Sequence, residues 1–387
     1  MNWPRLPSYP ATNPLTRRRL ELERDGRRLL DLVVSNPTRV GLPLPTNEVL
    51  AELAGCATRP YDPNPRGSEQ ARAAVAAYYA DHGARVDPDR IILTASTSEA
   101  YAHAMRLLAA PGEVFLVPSP SYPLLAPLAA LEGVTLRTYT LHYDDRWWLD
   151  RASFEEALAT GDVRGVILVQ PNNPTGSVFD ADEMEFAARL AARVGATLVV
   201  DEVFLDFPAP DVVLPTMAGR NDWPLLVLSG LSKVAGLPQM KLGWMVIGGP
   251  PTEAVAMRRG LEWIADAFLS VGAPVQSALP GFLSGRHEFL AAARRRLNVN
   301  EAWLDRQLAG TAVTRRRRDG GWSVVLKLPA RRRDDDWCLA LLDAGVVAHP
   351  GHFYDTAEES LIVLSLLTPE NEWADGLERL LGTVGPG

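Results

Sequence analysis

The sequence predicts an α/β protein: a large unit built on a mainly parallel sheet sandwiched by helices, and a smaller α+β unit. Two observations carry this. Short runs rich in Val, Leu and Ile recur at 90–94, 113–117, 165–170, 197–203, 225–228 and 243–247, with amphipathic stretches such as 98–108 and 181–194 between them. The runs lack the polar alternation of a half-exposed strand, so both faces are buried, as in a parallel sheet covered by helices. The pattern then changes after about Pro280, giving a long basic helix at 289–308, a strand at 320–328, a helix at 335–344, a strand at 360–367 and a closing helix at 369–381. A chain of 387 residues exceeds one small core. The expected division is 46–279 for the large unit and 1–45 with 280–387 for the small one, the N-terminal segment being loop-rich. No internal repeat or low-complexity tract interrupts it.

Composition narrows the function classes. The chain is 47% hydrophobic and 22% charged, with a net charge of -8, which fits a globular enzyme and gives no general attraction to nucleic acid or anionic membrane. The basic runs at 315–318 and 331–333 read as solvated loops. Two cysteines, Cys56 and Cys338, lie far apart, which argues against a disulfide scaffold or zinc site and fits a reducing compartment. The first ten residues show no signal peptide, and no apolar run is long enough to span a bilayer, so a cytoplasmic setting is expected. The six histidines form no HxxxH or HExxH pattern; His349 and His352 share a turn but read as a loop rather than a metal site.

Four segments carry chemistry. Of 39 basic residues only Lys233, Lys241 and Lys327 are lysines. Arginine covers most surface roles of lysine, so a retained lysine points to a need for the amine. Lys327 sits in an alternating strand and reads as a solvent-facing residue. Lys233 and Lys241 lie in the small-residue loop SGLSKVAGLPQMKLGW at 229–244, between two apolar strands, where catalytic groups gather and where an amine can form an imine with an aldehyde cofactor. A purely structural loop is an equal reading of that segment alone. At 94–101, TASTSEAY ends a strand and opens a helix with three hydroxyls, Ser96, Thr97 and Ser98, at an anion-attracting helix start. Ordinary capping explains one of the three. The hexapeptide PNNPTG at 171–176 dictates a rigid turn presenting Asn173. Finally, 198–204 reads LVVDEVF, an apolar strand ending in acids that are costly unless paired.

Together these segments resemble the class I/II aminotransferases, fold type I enzymes that depend on pyridoxal 5'-phosphate (PLP), over nearly the whole chain. The resemblance implies roles by position. Lys233 corresponds to the Schiff-base lysine and proton shuttle, and Asp201 to the carboxylate that keeps the pyridine nitrogen protonated. Asn173 corresponds to the amide donating to the phenolic oxygen, and Tyr122, in PSPSYP at 118–123, to the ring stacked on the cofactor. Thr97 and Ser98 correspond to the phosphate cup. Tyr61, in YDPNPRG at 61–67, corresponds to the tyrosine that reaches the neighbouring subunit's phosphate, which implies a homodimer.

Four departures from the family pattern stand out. Phe204 replaces the usual tyrosine donor, which implies a raised Schiff-base pKa. Lys241 replaces the phosphate-binding arginine, keeping the charge without the fork. Gly230 stands where a serine is common. Val363, in LIVLS at 361–365, occupies the place of the substrate-carboxylate arginine. Arg39, or a histidine of the HPGH turn at 349–352, is the candidate replacement, unless the natural amine has no α-carboxylate.

The function expected is ping-pong transamination between an amino acid or related amine and a 2-oxo acid. A PLP-dependent lyase, decarboxylase or oxidase of the same fold competes with it, as does a non-catalytic PLP-binding protein. The last is disfavoured because no added DNA-binding domain fits in the short N-terminal segment.

Overall fold

The computed structural model describes residues 13–56 and 60–385. Its central sheet has eight strands in the order Ile91–Thr94, Gly243–Gly248, Leu225–Gly230, Thr197–Asp201, Val163–Val169, Val114–Ser119, Thr135–Asp144 and Arg146–Leu149. From Leu225–Gly230 to Thr135–Asp144 each neighbouring pair is parallel. Gly243–Gly248 runs antiparallel to both of its neighbours, and Arg146–Leu149 closes the far edge as a hairpin.

The alternation of side chains explains why these strands read as unbroken apolar runs. Val166, Leu168, Leu198, Val200, Leu225 and Val227 enter the core on one face. Ile167, Val169, Val199, Leu226 and Leu228 enter a separate core on the other. Every residue of Thr197–Asp201 and Leu225–Gly230 is buried. Helices cover both faces, among them Thr97–Leu108 and Ala181–Arg193, the latter started by a reciprocal capping box between Asp180 and Glu183.

A third core belongs to the C-terminal part. Its four-stranded antiparallel sheet has the order Thr314–Arg315, Ser323–Lys327, Leu361–Ser365 and His349–Pro350. Trp322, Val324, Trp337, Leu364 and Trp373 fill the core together with Leu15, Leu22 and Leu32 from the N-terminal segment. That segment is less loop-rich than its composition predicts. Pro14–Arg24 is a helix, capped by the Asn13 side chain with proline at its first position. The strand Leu30–Asp31 pairs in parallel with Val346–Val347. The helix Ala273–Ser284 straddles residues 279 and 280, and its Phe282 and Leu283 join the large-sheet core.

The basic run at 315–318 is not a solvated loop. Arg318 is 3% exposed and forms a forked pair with Glu301, while Arg315 pairs with Asp305 and Arg316 with Glu358. In the second run, Arg331 and Arg332 lie over the Trp337 ring at 5.2 and 4.9 Å. Alternating signs brought together from distant segments produce this pairing, and local composition does not reveal it. No helix of the described residues is long and apolar enough to cross a membrane.

The large-sheet unit and the C-terminal core meet at the turn following Val163–Val169. The carbonyl of Gly176 accepts hydrogen bonds from the N–H groups of Asp319 and Gly320, at 2.9 and 3.0 Å. Gly176 has φ of 67°, and a Cβ there would stand 2.5 Å from the Gly320 carbonyl oxygen and 2.6 Å from Arg318 Cβ. Gly176→Ala therefore combines backbone strain with overpacking and should cost about 2–4 kcal/mol. Urea unfolding of the variant against the parent measures it.

Candidate active site

The site lies at the C-terminal edge of the parallel strands, where side chains from several connections converge. Asp201 ends Thr197–Asp201, and Lys233 sits in the four-residue helix Leu231–Val234 that follows the adjacent strand Leu225–Gly230. Because Gly243–Gly248 is antiparallel, its first residue lies at this same edge, paired with both Thr94 and Gly230. A Cβ on Gly243 would meet Ser96 C at 2.9 Å and Thr97 N at 3.0 Å. The bare backbone thus lets the first turn of Thr97–Leu108 close against the loop that carries Lys233. Gly230 is constrained likewise: a Cβ would stand 2.9 Å from Gly243 Cα, which leaves no room for a serine.

A cavity of about 580 Å³ opens here, lined by Lys233, Asp201, Asn173, Tyr122 and Thr97. The sequence named all five. Asp201 is 5% exposed; its carboxylate accepts from the Tyr101 hydroxyl at 2.8 Å and from the Val203 N–H at 3.0 Å. Tyr101 stands one turn after Thr97 on the same helix face. The half-buried Lys233 Nζ donates to the Ser35 carbonyl at 3.4 Å and lies 4.5 Å from the centre of the Trp322 ring and 5.7 Å from that of Phe204. Asn173 Oδ1 accepts from Ser323 Oγ at 3.3 Å, tying the turn to the smaller sheet.

Burial pushes the Asp201 carboxyl up to about 6, against the opposing pull of its two donors and of Lys233. Burial pushes the Lys233 ammonium down to about 8, with Asp201 resisting. Two ionisable groups with shifted pKa values thus share one cavity, a pairing that clusters at functional sites.

At the helix start, Ser96 is the cap, its hydroxyl accepting from the Glu99 N–H. Among the described residues the N–H groups of Thr97 and Ser98 have no partner within the chain. They form an anion-attracting end beside the cavity. Ser98 itself does not line the cavity. Neither does Lys241, which is exposed in the left-handed region with φ of 52°. Tyr61 is 79% exposed and borders a different cavity of about 610 Å³ with Asn64, Ser68, Ser270 and Gln276. Sequence reasoning missed Tyr101, Trp322 and Tyr354, aromatic residues that a sequence pattern does not separate from core.

At this edge a helix-covered α/β sheet thus brings a buried carboxyl and a lysine amine into one cavity. The chain belongs to the class I and II aminotransferases: the sequence model of that family matches residues 47–378. Glutamate-pyruvate aminotransferase AlaA of Escherichia coli (strain K12) is 27% identical over 331 residues, 84% of this chain and 81% of that protein. The alanine aminotransferase from Pyrococcus furiosus superposes with a TM-score of 0.87 at 21% identity, covering 96% and 95% of the two chains. A Thermus thermophilus aspartate aminotransferase double mutant gives 0.83 at 21%, covering 97% of each. The fold expected from the sequence is borne out, and the protein is an aminotransferase.

The raised Asp201 pKa has a measurable consequence in the cofactor-free protein. The unfolded carboxyl ionises near 3.8 and the folded one near 6. The stability this group contributes is therefore complete below pH 3.8 and is lost as pH rises through 6, a change of about 3 kcal/mol. Asp201→Asn should flatten that loss, as read from urea unfolding at pH 4.5 and 6.5.

Proposed function

We propose that this aminotransferase holds PLP in the cavity between Lys233, Asp201, Asn173, Tyr122 and Thr97, and that a homodimer completes each site. The single observation that carries the reading is the pairing of a buried carboxyl with a depressed lysine amine at one sheet edge. The donor set fits the cofactor: an acid for a ring nitrogen, an amide for a ring oxygen, an aromatic face, and a helix start for a phosphate. When bound, PLP supplies a ring that accepts the electron pair left on the substrate's α-carbon.

The chain's own residues do the rest. Lys233, with its pKa near 8, is in part unprotonated close to neutrality and can attack a carbonyl, then carry a proton to and from the α-carbon. Asp201, fixed by Tyr101 and the Val203 N–H, holds a proton at the ring nitrogen. Tyr122 would offer an aromatic face to the ring, and the Asn173 side-chain amide would be the donor for its oxygen. Thr97 and the free N–H groups of Thr97 and Ser98 would hold the phosphate at the helix start, with Lys241 adding charge from outside the cavity wall. Phe204, packed edge-on against Trp322 at 5.5 Å between ring centres, gives an apolar wall where a hydroxyl donor is usual.

The partners are an amino acid or related amine and a 2-oxo acid. The relatives named for alanine and glutamate-pyruvate support small 2-oxo acids as acceptors. Our reading of the two units keeps the division expected from the sequence, 46–279 and 1–45 with 280–387, with the helix Ala273–Ser284 spanning the second boundary and packing with the large unit. A cytoplasmic setting is supported by the low cysteine count and by the buried, free thiol of Cys338.

Borohydride reduction of the purified protein followed by peptide mapping should label Lys233. A label on Lys241 or Lys327 sinks the assignment. Asp201→Asn should lower turnover by about 100-fold or more while the fold persists, since one fixed charge at the ring contributes a few kcal/mol. The dimer is tested separately: sedimentation with activity measured on the fractions should place all turnover in the dimer, and an active monomer overturns the role of Tyr61.

A further inference from the structure

Resting on the transaminase reading, the cavity can be asked what kind of amine it accepts. Among the described residues that line it, Lys233 and His349 are the two that can carry positive charge. Lys233 is committed to the chemistry. Val363 faces the cavity from Leu361–Ser365 and is paired directly across the sheet with His349. Of the other candidates for a carboxylate partner, Arg39 is exposed and outside the lining, and His352 turns away to Asp334, 3.1 Å from its Nδ1.

We propose that His349 receives the substrate's α-carboxylate, and that the cavity selects a monocarboxylic amino acid with an apolar or aromatic side chain. His349 Nδ1 and the Tyr354 hydroxyl share a 3.0 Å hydrogen bond, and Nε2 of this cavity-lining ring has no partner among the described residues. When the ring is charged, Tyr354 accepts from Nδ1–H, so the imidazolium keeps a partner on its far side. The apolar part of the wall includes Val33, Leu124, Trp322, Phe353 and Val363, and serines such as Ser35 and Ser323 also line the cavity. A second carboxylate, as on aspartate or glutamate, would lose water there with no further cation among the described lining residues of this chain to meet it, which is strongly unfavourable.

Binding through His349 carries a pH signature. Three charged or titratable groups act on the ring: Tyr354 on its own turn through the hydrogen bond, and Asp31 on the short N-terminal strand and Arg19 on the first helix through their charges. Burial and Arg19 lower the imidazole's pKa, and Asp31 raises it, with a net depression. The free ring is neutral at pH 7, so carboxylate binding takes up a proton and weakens as pH rises.

The test uses the PLP-loaded enzyme, with phenylalanine, aspartate, glutamate and phenethylamine as donors and 3-phenylpropionate as a non-reacting carboxylate followed by titration calorimetry. The parent should favour phenylalanine over phenethylamine by about 10- to 100-fold in kcat/KM, the worth of one charge-assisted hydrogen bond. Aspartate and glutamate should be poor donors. His349→Asn should shrink that preference mainly through KM, and should abolish the parent's fall of 3-phenylpropionate affinity with rising pH. His349→Phe, which keeps the ring beside Phe353, provides a second variant. The proposal is overturned if the parent uses phenethylamine as well as phenylalanine, or if affinity and its pH slope survive both substitutions. Should no amine turn over while 3-phenylpropionate still binds through His349, the transaminase reading falls and the carboxylate site stands.

Discussion

The carboxyl of Asp201 is the constraint around which the site is arranged. It lies at the end of a fully buried strand, where water cannot solvate it, and ionisation is tolerable only with donors on both oxygens and a cation near by. The Tyr101 hydroxyl and the Val203 N–H supply the donors, and Lys233 supplies the field. Those three groups come from a helix on one face of the sheet, the residues after Asp201 itself, and the connection after the adjacent strand. Moving any of them leaves a buried charge uncompensated, so local electrostatics and global packing reinforce each other.

The antiparallel strand Gly243–Gly248 is what makes that convergence geometrically possible. In an all-parallel sheet, its first residue would lie at the opposite edge. Reversed, it delivers two glycine-to-backbone close approaches at the edge where the lysine loop and the helix start already meet. Side-chain size is excluded at Gly230 and Gly243 for steric reasons, and the departure from a serine at position 230 follows from this packing.

Much of the fold was legible because the central strands are buried on both faces and so read as continuous apolar runs. The antiparallel sense of Gly243–Gly248 was not legible, since direction leaves no trace in composition. The hairpin Thr135–Asp144 with Arg146–Leu149 escaped notice because it lies at the sheet edge and is mostly exposed on its first strand. The helix Pro14–Arg24 buries only Leu15 and Leu22, too thin a stripe to stand out among arginines and glutamates, although Asn13 and Pro14 are a start signal. Within the site, polar residues in distinctive motifs (Lys233, Asp201, Asn173) were readable. Tyr101 and Trp322 were not, because an aromatic ring that supports a carboxyl or faces an amine has the same sequence signature as one that fills a core.

The cavity wall draws on hydrophobic cores of both units: Val169 belongs to one core of the large sheet, Trp322 and Leu364 to the core of the smaller unit, and Asn173 is bonded to Ser323 between them. A molecule occupying that space touches two cooperative units at once. By mass action its binding free energy is added to their cohesion, raising the cost of separating them by RT ln(1 + [L]/Kd) for whatever fills the gap. Occupancy therefore acts as mortar as well as chemistry, and the full resistance of this chain to unfolding and proteolysis is a property of the loaded protein rather than of the polypeptide alone.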